Sequence, residues 1–171
     1  MHPNTRTGPL TGPLTGPLTG TDNCFENFAV GDVFEHARGK TVTEMDNVLL
    51  THLVMNTAQG HFNEDRMRGG EFGRRIVFGG ITTSIVIGLA SQDTGENALR
   101  ELGLDQIRFP APVFHGDTLY AFSEVLDTRD ADRDDAGVVT FRHWGVNDRE
   151  EIVFEGVRRV LLKRAGRGSA G

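Results

Sequence analysis

The sequence predicts an α+β domain in which one apolar helix lies across a face of an antiparallel sheet. Three observations carry that prediction. Residues 79–91, GGITTSIVIGLAS, are apolar or small on every side, as a helix must be when a sheet covers it. A shorter segment near residue 45 repeats its apolar residues at helical spacing. From about residue 107 onward the period changes to two, in short runs separated by turn residues, which is the pattern of successive antiparallel strands. Helices first and strands after them is the order of an α+β domain.

Each element follows from its residues. Residues 7–20 read TGPLTGPLTGPLTG, and each proline of that repeat fixes φ and removes a backbone donor, so 1–24 is expected to be a flexible tail. The folded domain is expected over 25–163, with a second flexible tail over 164–171. Phe25, Phe28, Val30, Val33 and Phe34 open it around a Gly31-Asp32 turn. Thr43 can cap a helix, with Asp46 completing a capping box. Met45, Val48, Leu49, His52 and Leu53 then follow i, i+3, i+4, i+7, i+8 and are expected to form its buried face. Asn56 to Asn63 reads as the loop leaving that helix. Gly79 to Ser91 is the core helix, in which Gly88 can admit a close neighbouring backbone. Ile107, Phe109, Ala111 and Val113 alternate, and the Gly116-Asp117 turn leads into strands at Leu119–Leu126, Val138–Val146 and Ile152–Leu162. Asn147 to Glu150 reads as a hairpin connection, and the charged run Asp130 to Gly137 as a solvated loop.

Composition narrows the function classes. A chain of 171 residues with 37% hydrophobic content suits one domain with one core. Eighteen basic against 24 acidic residues give a net charge of -6, which repels nucleic acid and anionic lipid, so neither is expected as a partner. The longest apolar stretch, Ile76 to Ala90, is broken by Gly79, Gly80, Thr82, Thr83 and Ser84 and does not read as a membrane span. The N-terminus lacks the basic and apolar regions of a signal peptide, and a cytoplasmic location is expected. Cys24 is the sole cysteine and has no adjacent base to activate it, so it reads as a structural bystander. His36 and His143 show no metal-ligand spacing, and no phosphate loop, zinc signature or Gly-x-Ser-x-Gly elbow occurs. No metal is expected.

Residues 56–80 read NTAQGHFNEDRMRGGEFGRRIVFGG, and this segment resembles the active-site region of MaoC-like (R)-specific enoyl-CoA hydratases. That family shows an Asp-x-Asn-x-x-His segment followed by Phe-Gly-x-x-Ile-Val-x-Gly at the start of its central helix. His61 matches the histidine, and Phe72-Gly73 with Ile76-Val77-Phe78-Gly79 matches the second element. Pro110 to Leu119, PAPVFHGDTL, is similar to the family's Pro-Val-x-x-Gly-Asp-Thr-Leu strand and turn. Together these span most of 25–163. Two positions depart from the pattern: Asn56 stands where the family has aspartate, and Ala58 where it has asparagine. The wider string MNTAQGHFN resembles the mesaconyl-CoA and itaconyl-CoA hydratase branch, which acts on C5 dicarboxylic acyl-CoA thioesters. The resemblance implies a hot-dog fold, with the antiparallel sheet wrapped around a long central helix. It also implies an acyl-CoA substrate, no separate cofactor because coenzyme A is part of that substrate, and a homodimer or higher homo-oligomer with sites between subunits.

Hydration of an enoyl thioester needs water at the β-carbon, a proton at the α-carbon, and stabilisation of the enolate charge on the thioester oxygen. His61 suits the proton transfers, because imidazole titrates near ~6.5. An amide cannot act as a base, so Asn56 could only orient the water or the imidazole. Gly79 and Gly80 fall at the start of the central helix, where unpaired N–H groups can meet the thioester oxygen. Spacing alone favours a tight turn there, and the resemblance is what turns Gly79 toward the oxyanion role. The catalytic candidates are therefore His61, Asn56 and Gly79, with Gly80, Phe78 and Phe72 as substrate contacts. A distal carboxylate would call for an arginine, and Arg66, Arg68, Arg74 and Arg75 lie near the motif with none singled out. His52 reads as a packed histidine and His115 as a turn residue. Two other readings stay open: a thioesterase, which needs an aspartate or glutamate that position 56 lacks, and a non-catalytic acyl-binding subunit.

Overall fold

A computed structural model of the protein describes residues 23–166. In chain order it contains β1 (Val33–Thr41), α1 (Glu44–Leu53), α2 (Glu64–Met67), α3 (Gly79–Thr94), β2 (Ala98–Arg108), β3 (Thr118–Asp130), β4 (Ala136–Val146) and β5 (Ile152–Lys163). The five strands form one sheet in the order β1-β3-β4-β5-β2, every neighbouring pair antiparallel. A single long helix on an antiparallel sheet is the α+β arrangement expected from the periodicity change.

Helix α3 crosses the sheet on apolar contacts. Ile81 joins Val42, Leu119 and Val153 in one cluster, and Val86 joins Ala121 and Phe154 in the next. A side chain at Gly145 of β4 would run into Val86, so that glycine is what lets the helix close on the sheet. Farther along, Phe28 sets its ring edge-on to Phe34 and Phe141 at centroid distances of 6.1 and 5.1 Å, within a cluster that includes Val125, Val139, Val160 and Leu162. Phe122 and Trp144 stack at 5.4 Å in a separate cluster with Val33 and Val146. Strand β4 and the first half of β3 are therefore buried on both faces, polar Ser123 and His143 included.

Several expectations are corrected. A strand, β1, precedes the helices; it is an edge strand whose Ala37, Arg38 and Gly39 face solvent, so its second half carries no apolar alternation. Residues 107–113 are not a strand of their own: the ladder ends at Arg108, and Pro110 and Pro112 have no N–H to continue it. On α1 the capping box forms as expected, but the apolar stripe points outward. Met45, Leu49 and Leu53 are 73%, 52% and 67% exposed, and Asn47 and Thr51 are what the helix buries. His52 is exposed with that stripe and rests its ring on Phe62 at 4.7 Å. Helix α3 is covered on one side only, with Ser84 and Gly88 exposed and open space beside Gly88.

The chain ends are tied in where they are described. The Asn23 amide donates to the Asp93 carbonyl at 2.9 Å, and the Ala165 N–H donates to Glu26 at 2.8 Å. The remainder of the expected tails, 1–22 and 167–171, lies outside the described residues. Among the described residues no helix is long and apolar enough to cross a membrane.

Candidate active site

The site begins with a cap. Thr43 Oγ1 accepts the Asp46 N–H at 3.1 Å, and Asp46 returns the bond by accepting the Thr43 N–H at 2.8 Å. Lys40 donates to the same carboxylate at 2.9 Å and, with the Thr43 donors, holds the Asp46 pKa at about 2. This fixes where α1 starts and so where Asn47 points.

Asn47 is fully buried and joins three otherwise separate segments. Its Nδ2 donates to the His61 carbonyl at 2.8 Å, to His115 Nε2 at 2.9 Å and, more weakly, to the Ile76 carbonyl at 3.3 Å. Its Oδ1 accepts the Phe78 N–H at 3.0 Å. Because Asn47 donates to it, His115 Nε2 carries a lone pair, and the ring is neutral; burial first, then the Arg75 charge, lowers its pKa from the usual imidazole value.

His61 closes the short 3-10 turn Gln59–His61. Its Nδ1 lies 3.0 Å from the Ile76 carbonyl, which can only accept, so Nδ1 carries the proton and Nε2 is the free basic nitrogen. The ring sits against Phe78 at 5.5 Å. Phe78 is the N-cap of α3, and its carbonyl accepts from Ile81 at 2.9 Å and Thr82 at 3.2 Å. Asn47 takes the Phe78 N–H, which leaves the Gly79 and Gly80 N–H groups without an acceptor among the described residues. A Cβ at Gly79 would lie 2.9 Å from the Phe109 ring, so a larger residue there has to displace that ring.

These groups meet at a cavity of about 370 Å³ lined by His61, Phe72, Gly79, Thr82, Phe109 and Val113 among others. No carboxylate lines it. A second cavity, about 490 Å³, lies beside it and is lined by Leu50, Val54, Asn56, Phe78, Gly80 and Ser84. The structure therefore brings His61, Gly79 and Phe72 together but places Asn56, Phe78 and Gly80 on the other cavity. The Phe78 ring stands between, against His61 on one side and the Gly80 backbone on the other. Asn56 Oδ1 is engaged locally, accepting the Ala58 N–H at 2.9 Å in the turn that leads to His61.

Sequence reasoning missed Asn47 and Thr82. The Asn47/Thr51 pair at i, i+4 was the available signal, a polar couple inside a helix whose interior should not favour asparagine. Thr82 is buried and sits one turn after Gly79 on the cavity wall. Among the described residues no group of three or more His, Cys, Asp or Glu is placed to hold a metal ion.

Comparison with known proteins identifies the family. Residues 33–164 match the family described as mesaconyl-CoA hydratase. A β-methylmalyl-CoA dehydratase of Chloroflexus aurantiacus is 36% identical over 126 residues, covering 73% of this chain and 36% of the relative. A solved structure from the same organism, described as a MaoC domain protein dehydratase, superposes with a TM-score of 0.80 at 32% identity, over 86% of this chain and 46% of that one. A Mycobacterium tuberculosis protein with a double hot-dog fold superposes at 0.76 with 21% identity, over 88% of this chain and 47% of that one, a likeness of fold. The chain thus spans about a third to a half of the length of these relatives. On the profile match and the identity together, the chain belongs to the mesaconyl-CoA hydratase family, on the MaoC-like hot-dog fold.

Proposed function

We propose that this domain is a hydro-lyase that reversibly adds water to a 2-enoyl-CoA thioester, with a short branched or C5 dicarboxylic acyl group of the mesaconyl-CoA or itaconyl-CoA type as the leading substrate. One observation carries the proposal: His61, whose Nδ1 is taken by the Ile76 carbonyl, and Gly79, whose N–H opens a helix unpaired, line the same cavity. In the hydration direction His61 Nε2 takes a proton from water as the water oxygen bonds to the β-carbon. The π electrons move onto the thioester oxygen, where the Gly79 N–H and the helix dipole stabilise the enolate. The imidazolium then returns its proton to the α-carbon, so one water is added and the enzyme is regenerated. Asn56 shapes the turn that presents His61, and the Thr82 hydroxyl is the polar group on the cavity wall available to hold the water. Coenzyme A arrives as part of the substrate, and no further cofactor is required by these steps. A thioesterase would need a carboxylate to activate water, and the His61 cavity offers none.

We assign the assembled form as a homodimer or a multiple of it, because the outward apolar stripe of α1, with Val54 and Met55 beyond it, is a surface that a second copy would cover. A cytoplasmic location suits an acyl-CoA substrate. The decisive experiment follows crotonyl-CoA and mesaconyl-CoA by thioester absorbance and by mass. Wild-type protein should add one water without releasing free thiol, and His61→Ala should abolish that gain. Substantial turnover by His61→Ala, or thiol release by wild type, refutes the assignment.

A further inference from the structure

We infer that Arg74 recognises a carboxylate at the far end of the acyl group, an inference that rests on the hydratase reading and names its substrate class. The His61 cavity is otherwise walled by aromatic, aliphatic and proline side chains, with Thr82 and His61 as its polar ones, so the positive charge needed by a dicarboxylic acyl group must come from its margin. Four arginines lie along the adjoining segment. Arg75 is enclosed by Glu44 at 2.7 Å and Glu64 at 2.5 Å and Arg68 faces Asp65 at 3.6 Å; Arg66 and Arg74 are both exposed, and of these two Arg74 is the one that stacks on a ring among the described residues.

Arg74 differs in its contact. Its guanidinium lies 3.6 Å over the ring of Phe114, a buried residue, and no acidic side chain pairs with it. Phe114 in turn meets Phe72 edge-on at 5.9 Å, and Phe72 lines the His61 cavity. Gly73, at φ +63°, turns the chain so that residues 72 and 74 both rest on that one ring. Stacking occupies the face of the guanidinium, holds its plane and leaves its N–H groups at the rim. A carboxylate binds in that plane, through paired charge-assisted hydrogen bonds. Glu44 and Glu64 are committed to Arg75 and do not compete.

The phosphates of coenzyme A are the other anions an arginine here could meet, and binding data separate the two. Succinyl-CoA and butyryl-CoA have the same acyl length, differ in the terminal carboxylate, and cannot be hydrated. Calorimetric titration of the full chain should show Arg74→Met weakening succinyl-CoA by roughly 10- to 100-fold while butyryl-CoA stays within about 3-fold, the size expected for losing charge-assisted hydrogen bonds. Arg74→Lys should recover part of the loss, since a lysine restores the charge without the planar fork. Equal weakening of both ligands would place Arg74 on the coenzyme phosphates and overturn the inference, as would no weakening of either. Failure of the hydratase reading would look different: wild type would bind succinyl-CoA in an Arg74-dependent manner yet hydrate neither crotonyl-CoA nor mesaconyl-CoA.

Discussion

Replacing Asn47 with leucine, a residue of similar size, should damage both stability and turnover without opening a cavity. The structure gives the size of the effect. The substitution removes the acceptor of the Phe78 N–H and the donor to the His61 carbonyl, and it strips His115 Nε2 of its partner. The Ile76 carbonyl keeps the bond from His61 Nδ1, so it does not count as orphaned. Two backbone groups left unsatisfied in a buried setting cost about 1–3 kcal/mol each, or roughly 2–6 kcal/mol in total. At about 2–4 °C per kcal/mol for a chain of this size, the melting temperature should fall by roughly 5–20 °C. Circular dichroism melts and urea midpoints measure this, with Thr51→Val as the control, because Thr51 makes only a 3.5 Å contact to Asn47 and should shift the midpoint little. In the protein that remains folded, kcat for crotonyl-CoA hydration should fall more than KM rises, since the segment carrying His61 and the start of α3 lose their common tie. An Asn47→Leu protein that melts within about 2 °C of wild type would show that the shared hydrogen bonds do not hold the site, and the reasoning would fail.

Three further outcomes follow from the geometry. Gly79→Ala puts a methyl 2.9 Å from the Phe109 ring, which is 49% exposed and can yield, so stability should hold while hydration slows by about 10-fold or more from displacement of the amide; unchanged kcat would remove Gly79 from the mechanism. Burial, reinforced by the Arg158 charge and then by His36, keeps the His143 pKa well below the usual imidazole value, so its contribution to stability is complete above about pH 6.5 and declines as pH falls below that, by up to ~1.4 kcal/mol per pH unit. His115 acts with the same sign, so His143→Phe should flatten but not abolish the slope of urea stability between pH 6.5 and 5, a window above the titration of Asp46; identical slopes would contradict the assignment. Glutamates in place of Leu49 and Leu53 should reduce the mass seen by light scattering to one chain with the fold retained, and an unchanged oligomer would clear α1 of an interface role.

What could be read from the sequence divides along physical lines. Strands β3, β4 and β5 were legible as apolar runs bounded by turn residues, and helix α3 because its residues are apolar or small all round. The edge strands were not, since β2 leaves most of its side chains exposed and reads as a charged segment. On α1 the pattern was real but its meaning inverted, because periodicity tells which residues share a face and not whether the same chain covers that face. His61, Gly79 and Phe72, named from motifs, line one cavity. Phe78 and Gly80 flank Gly79, yet the start of a helix turns each successive residue to a new side, which sends them to the neighbouring cavity. Asn47 gave almost no local signal, because its partners lie 14 to 68 residues away in sequence.

The protein also holds an Asp-His-Ser set away from the cavity, and its surroundings assign it to structure. Asp93 Oδ2 meets His36 Nδ1 at 2.6 Å, His36 Nε2 meets Ser123 Oγ at 2.7 Å, and Ser123 Oγ meets His143 Nδ1 at 2.6 Å. His36 Nδ1 donates to the Asp93 carboxylate, and His143 Nε2 is buried with no hydrogen-bond partner among the described residues. Ser123 and His143 are fully buried, so no substrate reaches the hydroxyl. What the chain does is tie the last turn of α3 to β1, β3 and β4. Apolar contacts along the middle of that helix are non-directional and would tolerate a slide along the sheet; hydrogen bonds do not. Asn47 anchors the N-terminal end through Phe78, and Asp93 anchors the C-terminal end through His36. On the proposed hydratase reading, the helix that carries the Gly79 amide is thus pinned at both ends, and a buried polar chain distant from the cavity would help hold the two sides of the proposed site in place.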